Sequence, residues 1–166
     1  RNAVGSMDFG GSALNKFYNA NNTPNRGSKR LTSDVFALAT AVMFQSAVQH
    51  FALAPNNLTD APDWAISFMK EVPTTWDEVK FIDGYPGKYV VLARRHGNTW
   101  YVAGVNAQKE TVKVRAKLPM ISAGKELKIY SDDASLSGKV TTEKMNKNQE
   151  VELTIPTNGG VLIIGQ

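Results

Sequence analysis

The sequence has no cysteine. That excludes a disulfide framework, a thiolate zinc centre and a cysteine nucleophile together, and it leaves the redox compartment open. Histidine is nearly as scarce, with His50 and His96 alone. One falls in a long apolar stretch and the other in a turn between two strand-like runs, so a two-histidine metal site is set aside. A core histidine and a surface turn histidine are the expected roles. Long pure hydrophobic runs are lacking too. The longest apolar stretch, residues 35–54, is interrupted by Thr40, Gln45, Ser46, Gln49 and His50, and it reads as a buried helix rather than a membrane span. Arg1 opens the chain with no initiator Met, no charged leader and no apolar h-region, so no signal peptide is expected and the start reads as a cut.

No concentrated charge of one sign is present either. The net charge of +4 comes from dispersed residues, with short clusters only at Lys29-Arg30, Arg94-Arg95 and residues 113–117. These lack interleaved aromatics and any known binding motif, so a solvated surface is expected, with neither nucleic acid nor membrane as a partner. What is present is an ordinary globular composition, 42% hydrophobic and 20% charged over 166 residues, enough for a packed core. That length fits one domain, or one small domain plus a fragment of another.

The periodicity divides the chain in two. Residues 1–9 form a short apolar segment ended by Gly10-Gly11, as a strand followed by a loop does. Residues 10–30 have five Asn, turn signals at Thr23-Pro24 and Arg26-Gly27-Ser28, and no period, so they read either as a ligand-facing flap or as disorder. Thr32 or Ser33 can cap the next helix, with Asp34 in its first turn. Val35, Leu38, Ala39, Val42, Met43, Ala47 and Phe51 share helical spacing, and Phe36, Ala37, Ala41, Phe44 and Val48 widen the apolar surface. A helix apolar on so many sides must be buried on several; Pro55 and Asn56-Asn57 would stop it. A second helix is expected from Pro62 to about Val72, ended by Pro73. From Thr74 the period becomes two. The runs 88–95 and 99–105 meet at His96-Gly97-Asn98, a hairpin signal. Further strands are expected at 78–82, 110–116, 125–130, 138–145, 151–155 and 161–164, the last apolar throughout as if covered on both sides. About eight short strands with turn signals between them indicate an antiparallel sandwich.

RNAVGSMDF, then a segment ending FQSAVQHFA, then KEVPTTWDEVKFIDGYPGKYVVLARRHGNTWYVAGVN together resemble, in that order, the C-terminal region of family 97 glycoside hydrolases. That resemblance implies a mostly β fold: an antiparallel β-sandwich at residues 73–166, able to fold alone, preceded at residues 1–72 by the last strand and helices of a catalytic (β/α)8 barrel. Asn2 to Phe9 would be the last barrel strand, and residues 31–54 would pack on the barrel's outside. The implied activity is exo-acting cleavage of terminal α-linked glucose, or galactose, with calcium near the catalytic centre of the parent enzyme. Glycoside hydrolysis needs two carboxyl groups flanking the bond. In the family these, and the calcium-binding glutamates, precede the last barrel strand. No catalytic residue and no metal ligand is therefore assigned here, and the chain alone is expected to be inactive and to bind no cofactor. The oligosaccharide would be met through the barrel, the rest of the same polypeptide being this chain's partner, and the compartment implied is periplasmic or secreted.

One residue is a candidate for substrate binding: Asp8, at the end of the expected last strand, on the face where barrels place their sites. The alternative is an Asp that bonds its own loop at Gly10 and Gly11. Asp77 and Glu78, adjacent on a strand, point to opposite faces and cannot share one substrate oxygen; one of them is expected to pair with Lys or Arg across the domain interface, with Trp76 filling the seam. Asp132-Asp133 reads as a turn without the ligands calcium demands. Trp100 and Tyr101 alternate faces, one expected in the core and the other exposed. An exposed aromatic suggests the rival class, a non-catalytic carbohydrate-binding sandwich.

Overall fold

The structure, a computed structural model, describes Gly5, Phe9–Gly11, Leu14, Phe17–Tyr18 and residues 28–53 and 61–166. Its C-terminal part is the expected sandwich. Eight strands follow one another: β5 (Glu78–Tyr85), β6 (Tyr89–His96), β7 (Thr99–Asn106), β8 (Val112–Lys117), β9 (Glu126–Asp132), β10 (Gly138–Lys144), β11 (Glu150–Ile155) and β12 (Gly160–Gly165). Six form one antiparallel sheet in the order β10-β9-β12-β7-β6-β5, and β8 pairs with β11 as a second, two-stranded layer. Alternation decides which residues lie between the layers. Val91 and Ala93 of β6, Trp100 and Val102 of β7, and Val161 and Ile163 of β12 meet Val114, Leu153 and Ile155 of the small layer in one buried core. Burying side chains of this size contributes roughly 1.5–3 kcal/mol each.

The residues between them in sequence point the other way, and they are buried as well. Leu92, Ala103, Tyr130 and Leu162 share a second core with α1 (Asp34–Met43) and α2 (Asp63–Glu71), including Val35, Leu38, Val42 and Phe68. Helix α1 lies across β7 and β12. It needs no polar face, since seven of its ten residues are buried. A sheet covered on both faces explains why β12 is apolar throughout. It also corrects the reading of the Trp100-Tyr101 pair: Trp100 is 6% exposed, while half-buried Tyr101 packs on the helical side, edge-on to Trp76 at 5.4 Å. Neither faces solvent as a platform.

The first helix is shorter than its apolar pattern suggests. It ends at Met43, and Phe44 caps it in an extended conformation. Beyond it the Ser46 hydroxyl donates to the Val48 carbonyl, and the Gln49 amide donates to the Ala41 carbonyl at 2.8 Å. These local side-chain bonds replace the helical ladder. Residues Gln49–Phe51 instead form β4, parallel to β1 (Phe9–Gly11), with Gly10 opposite His50. His50 is therefore an exposed strand residue, not a histidine on a buried helix. Strand pairing also runs on through Gly10-Gly11, where a loop was expected. The earlier part of the expected last strand, residues 2–8, lies outside the described residues except Gly5. Within the expected long loop, β2 (Phe17–Tyr18) pairs antiparallel with β3 (Ser28–Lys29).

Candidate functional site: the joint between helix and sandwich

Helix α1 is held to the sandwich by polar side chains at both ends. Four N–H groups at a helix start and four C=O groups at its end lack partners within the helix. At the start, Ser33 is the N-cap and accepts from the Phe36 N–H at 2.8 Å. The Ser33 hydroxyl donates to Asp132 Oδ2, which also accepts from the Gly160 N–H at 2.8 Å, and the Ser33 N–H donates to the Asn158 carbonyl at 3.0 Å. Asp132 is the last residue of β9 and is buried. Burial pushes its carboxyl above the ordinary carboxylate value, against the Ser33 and Gly160 bonds, which hold it down. The expectation of a simple Asp132-Asp133 turn is thus half corrected. Asp133 does make the turn, accepting from the Ser135 and Ser137 N–H groups, while Asp132 joins two parts of the fold.

At the other end, the Arg94 guanidinium donates to the Met43 carbonyl at 3.1 Å. Arg94, expected with Arg95 on a solvated surface, is instead only 2% exposed, because strand alternation turns it under the helices, and a cation at the negative end of α1 complements the helix dipole. Register puts it there: Arg94 alternates with Val91 and Ala93 and so faces the helices. Its neighbour Arg95 faces the opposite way, beside Trp100, and pairs with Glu78 at 3.2 Å and Asp77 at 3.6 Å, while Lys80 reaches Glu78 at 3.4 Å. Arg95 lowers the Glu78 carboxyl below its ordinary value. Pairing was expected of one carboxylate, across the joint; instead both meet the same Arg95 guanidinium within the sandwich, because Asp77 lies just before β5 rather than on it, while Trp76 packs against Tyr101 in the seam. A half-polar cleft of about 350 Å³ opens there, lined by Gln45, Thr75, Trp76, Asp77, Glu78 and Arg94 among others. His96 is exposed beside the turn, with Nδ1 2.9 Å from the Thr75 carbonyl.

Asp8 lies outside the described residues. Among those described, no group of three or more His, Asp or Glu side chains could hold a metal ion, and no helix is long and apolar enough to cross a membrane. No single segment of the sequence signals the joint, because its partners are remote: Ser33 and Asp132 are 99 residues apart, Arg94 and Met43 51 apart. A doublet of arginines inside an otherwise apolar strand was the one local signal that a cation would be buried.

The fold and joint define a β-sandwich module that carries helices on one face. Residues 75–164 match the family described as "Glycosyl-hydrolase 97 C-terminal, oligomerisation", and the chain belongs to that family. A crystal structure of a β-arabinopyranosidase is 55% identical, covering 99% of this chain and 26% of that one, with a TM-score of 0.91. A family 97 enzyme from Pseudoalteromonas sp. strain K8, solved with acarbose, shares the fold at 24% identity and a TM-score of 0.79, over 98% of this chain and 26% of that one. A retaining α-galactosidase of Bacteroides thetaiotaomicron is 41% identical over 68 residues, 41% of this chain. A probable retaining α-galactosidase of Streptomyces bingchenggensis is 34% identical over 107 residues, 64% of this chain. The chain spans 10% and 15% of the length of these two curated relatives.

Proposed function

We propose that this chain is the C-terminal part of an exo-acting glycoside hydrolase, in which the sandwich braces the catalytic barrel while the barrel's earlier segments supply the reacting carboxyl groups. The observation that carries this reading is the double anchoring of α1. A helix buried on nearly every side and fixed to the sandwich at both ends is a rigid connector, and on this reading residues 1–72 are the last strand and outer helices of such a barrel. The division falls near Pro73.

The substrate is a terminal α-linked sugar, and of glucose and galactose the second has the better support. Two relatives bear the name α-galactosidase and another β-arabinopyranosidase. A β-L-arabinopyranose ring is an α-D-galactopyranose ring without its hydroxymethyl group, so one site shape serves both. The galactosidases' names also favour retention, which places the two carboxyl groups about 5–5.5 Å apart in the parent enzyme. Calcium belongs to the same reading, held by the barrel's earlier segments; among the described residues no group of three or more His, Asp or Glu side chains could hold it. A periplasmic or secreted setting belongs to the same reading.

The test is turnover of aryl α-D-galactoside, β-L-arabinopyranoside and α-D-glucoside. This chain alone is expected to hydrolyse none above background, and the protein extended upstream of Arg1 is expected to prefer the first two. Hydrolysis by the chain alone would sink the division of labour. Saturable binding of α-glucan to the chain by calorimetry would instead favour the binding-module alternative.

A further inference from the structure

The turn between β11 and β12 carries the chain from the small layer to the six-stranded sheet, and it also holds the start of α1. Within it the Gly159 N–H donates to the Pro156 carbonyl at 2.9 Å, and the Asn158 carbonyl accepts from the Ser33 N–H at 3.0 Å. Two of its positions are tightly restricted. Asn158 has a φ of 58°, in the left-handed region that asparagine enters more readily than most residues other than glycine. Gly159 is buried, and a Cβ there would lie 2.9 Å from the Pro156 ring and 3.0 Å from the Pro156 carbonyl, so no side chain fits. The packing of the joint thus calls for an asparagine followed by a glycine. Of the chain's asparagines, Asn158 is the only one so followed.

That dipeptide is chemically labile. A backbone nitrogen can attack the side-chain carbonyl carbon of the asparagine before it, and a glycine nitrogen is the least hindered in doing so. We infer that Asn158 is a site of spontaneous covalent modification, where the Gly159 nitrogen closes on Asn158 Cγ at a rate set by opening of the joint. The N–Cγ bond forms, the nitrogen gives up its proton, and the side-chain amide leaves as ammonia, which yields a cyclic imide. Water then opens the imide at either carbonyl to leave aspartate or isoaspartate. In the folded chain the nitrogen is withheld from this reaction. Gly159 is buried and its N–H is committed to the Pro156 carbonyl, whereas the Asn158 side chain is exposed, so the turn itself must move. It cannot move far without parting the Asn158 carbonyl from Ser33. Isoaspartate would prevent the turn from closing again as before. It routes the main chain through the former side chain, lengthens the turn by one carbon, takes the carbonyl that meets Ser33 out of the main chain, and adds a carboxylate near buried Asp132. The inference rests on the geometry of the joint and is independent of the sugar and activity proposed above.

Peptide mapping by mass spectrometry of the full 166-residue chain, aged in warm, mildly alkaline buffer, tests it. Asn158 is expected to lose ammonia ahead of every other asparagine, yet about tenfold more slowly than in a free peptide spanning residues 155–161. Ser33→Ala removes the cap and its bond to Asp132 and should speed the reaction in the folded chain by about fivefold. Asn158→Gly keeps the positive φ and has no amide to lose. After equal ageing that variant should melt as it did when fresh, while the aged parent chain should show a second, lower transition. The peptide comparison and Asn158→Gly keep the test independent of how well Ser33→Ala folds. Earlier reaction at another asparagine, a folded-chain rate equal to the peptide's, a rate unmoved by Ser33→Ala, or equal loss of melting temperature in aged Asn158→Gly would each overturn the assignment. So would an Asn158 left intact in both the parent and the Ser33→Ala chains while the peptide is converted.

Discussion

Arg94 and Asp132 are two buried charged residues of opposite sign at opposite ends of one helix, and they make separable predictions. Truncating Arg94 removes a charge-assisted bond to the Met43 carbonyl and leaves a cavity. Arg94→Ala should cost about 2–4 kcal/mol, read as a lower denaturant midpoint at unchanged slope. Arg94→Met, which keeps most of the volume, should cost less, and the difference separates packing from charge. For Asp132 the effect depends on pH. Its folded-state carboxyl titrates above the ordinary value because it is buried, so the folded chain holds a proton that the unfolded chain has released. Its stabilising contribution is full below the unfolded value of about 4 and is lost as pH rises through the folded one. Asp132→Asn, which stays neutral, should therefore gain melting temperature relative to the parent chain as pH rises from about 4. Glu78 and Asp133 titrate below their ordinary values and act oppositely, so the comparison with the Asn variant, not the raw profile, isolates Asp132. A difference independent of pH would refute the carboxyl's role.

Among elements, the strands were legible and the first helix was not. Eight sandwich strands were expected from alternation and turn residues, and eight are present with ends displaced by a few residues, because each alternates between two packed or half-packed faces. Helix α1 was overrun because apolarity continues from Ala47 to Leu53 while the backbone turns extended at Phe44. A run apolar on all sides carries no period to mark where helix gives way to strand. The joint was not legible at all, since its bonds exist only after the sheet has assembled. The closeness of α1 to the sheet is itself testable. A Cβ on Gly160 would come within 2.6 Å of the Phe36 backbone, which cannot rotate aside. Gly160→Ala should destabilise by about 1–3 kcal/mol, whereas Gly87→Asn, at a φ of 78° with open space around it, should be tolerated within about 0.5 kcal/mol. Equal costs in thermal or chemical denaturation would remove the argument for tight helix-on-sheet packing.

At the scale of the molecule, the six-stranded sheet is a shared wall. One of its two cores is completed by β8 and β11, the other by α1 and α2. A sandwich beginning at Pro73 was expected to fold alone, yet such a piece would bare Leu92, Ala103, Tyr130 and Leu162, all at most 4% exposed in the whole chain. Residues 73–166 by themselves are expected to bind a hydrophobic dye and self-associate, while a piece beginning near Arg30 should not; a dye-silent, cooperatively melting 73–166 would show that the sheet tolerates a naked face. The double anchoring of α1 then bears on inheritance as well as on folding. A genetic exchange that swapped this module between related enzymes at Pro73 would part Ser33 from Asp132 and Met43 from Arg94, giving each half a helix shaped for a different sheet. A crossover before Arg30 would carry both matched ends across together. Chimeras built at the two positions should differ accordingly, and the breakpoint that works marks the true unit of exchange.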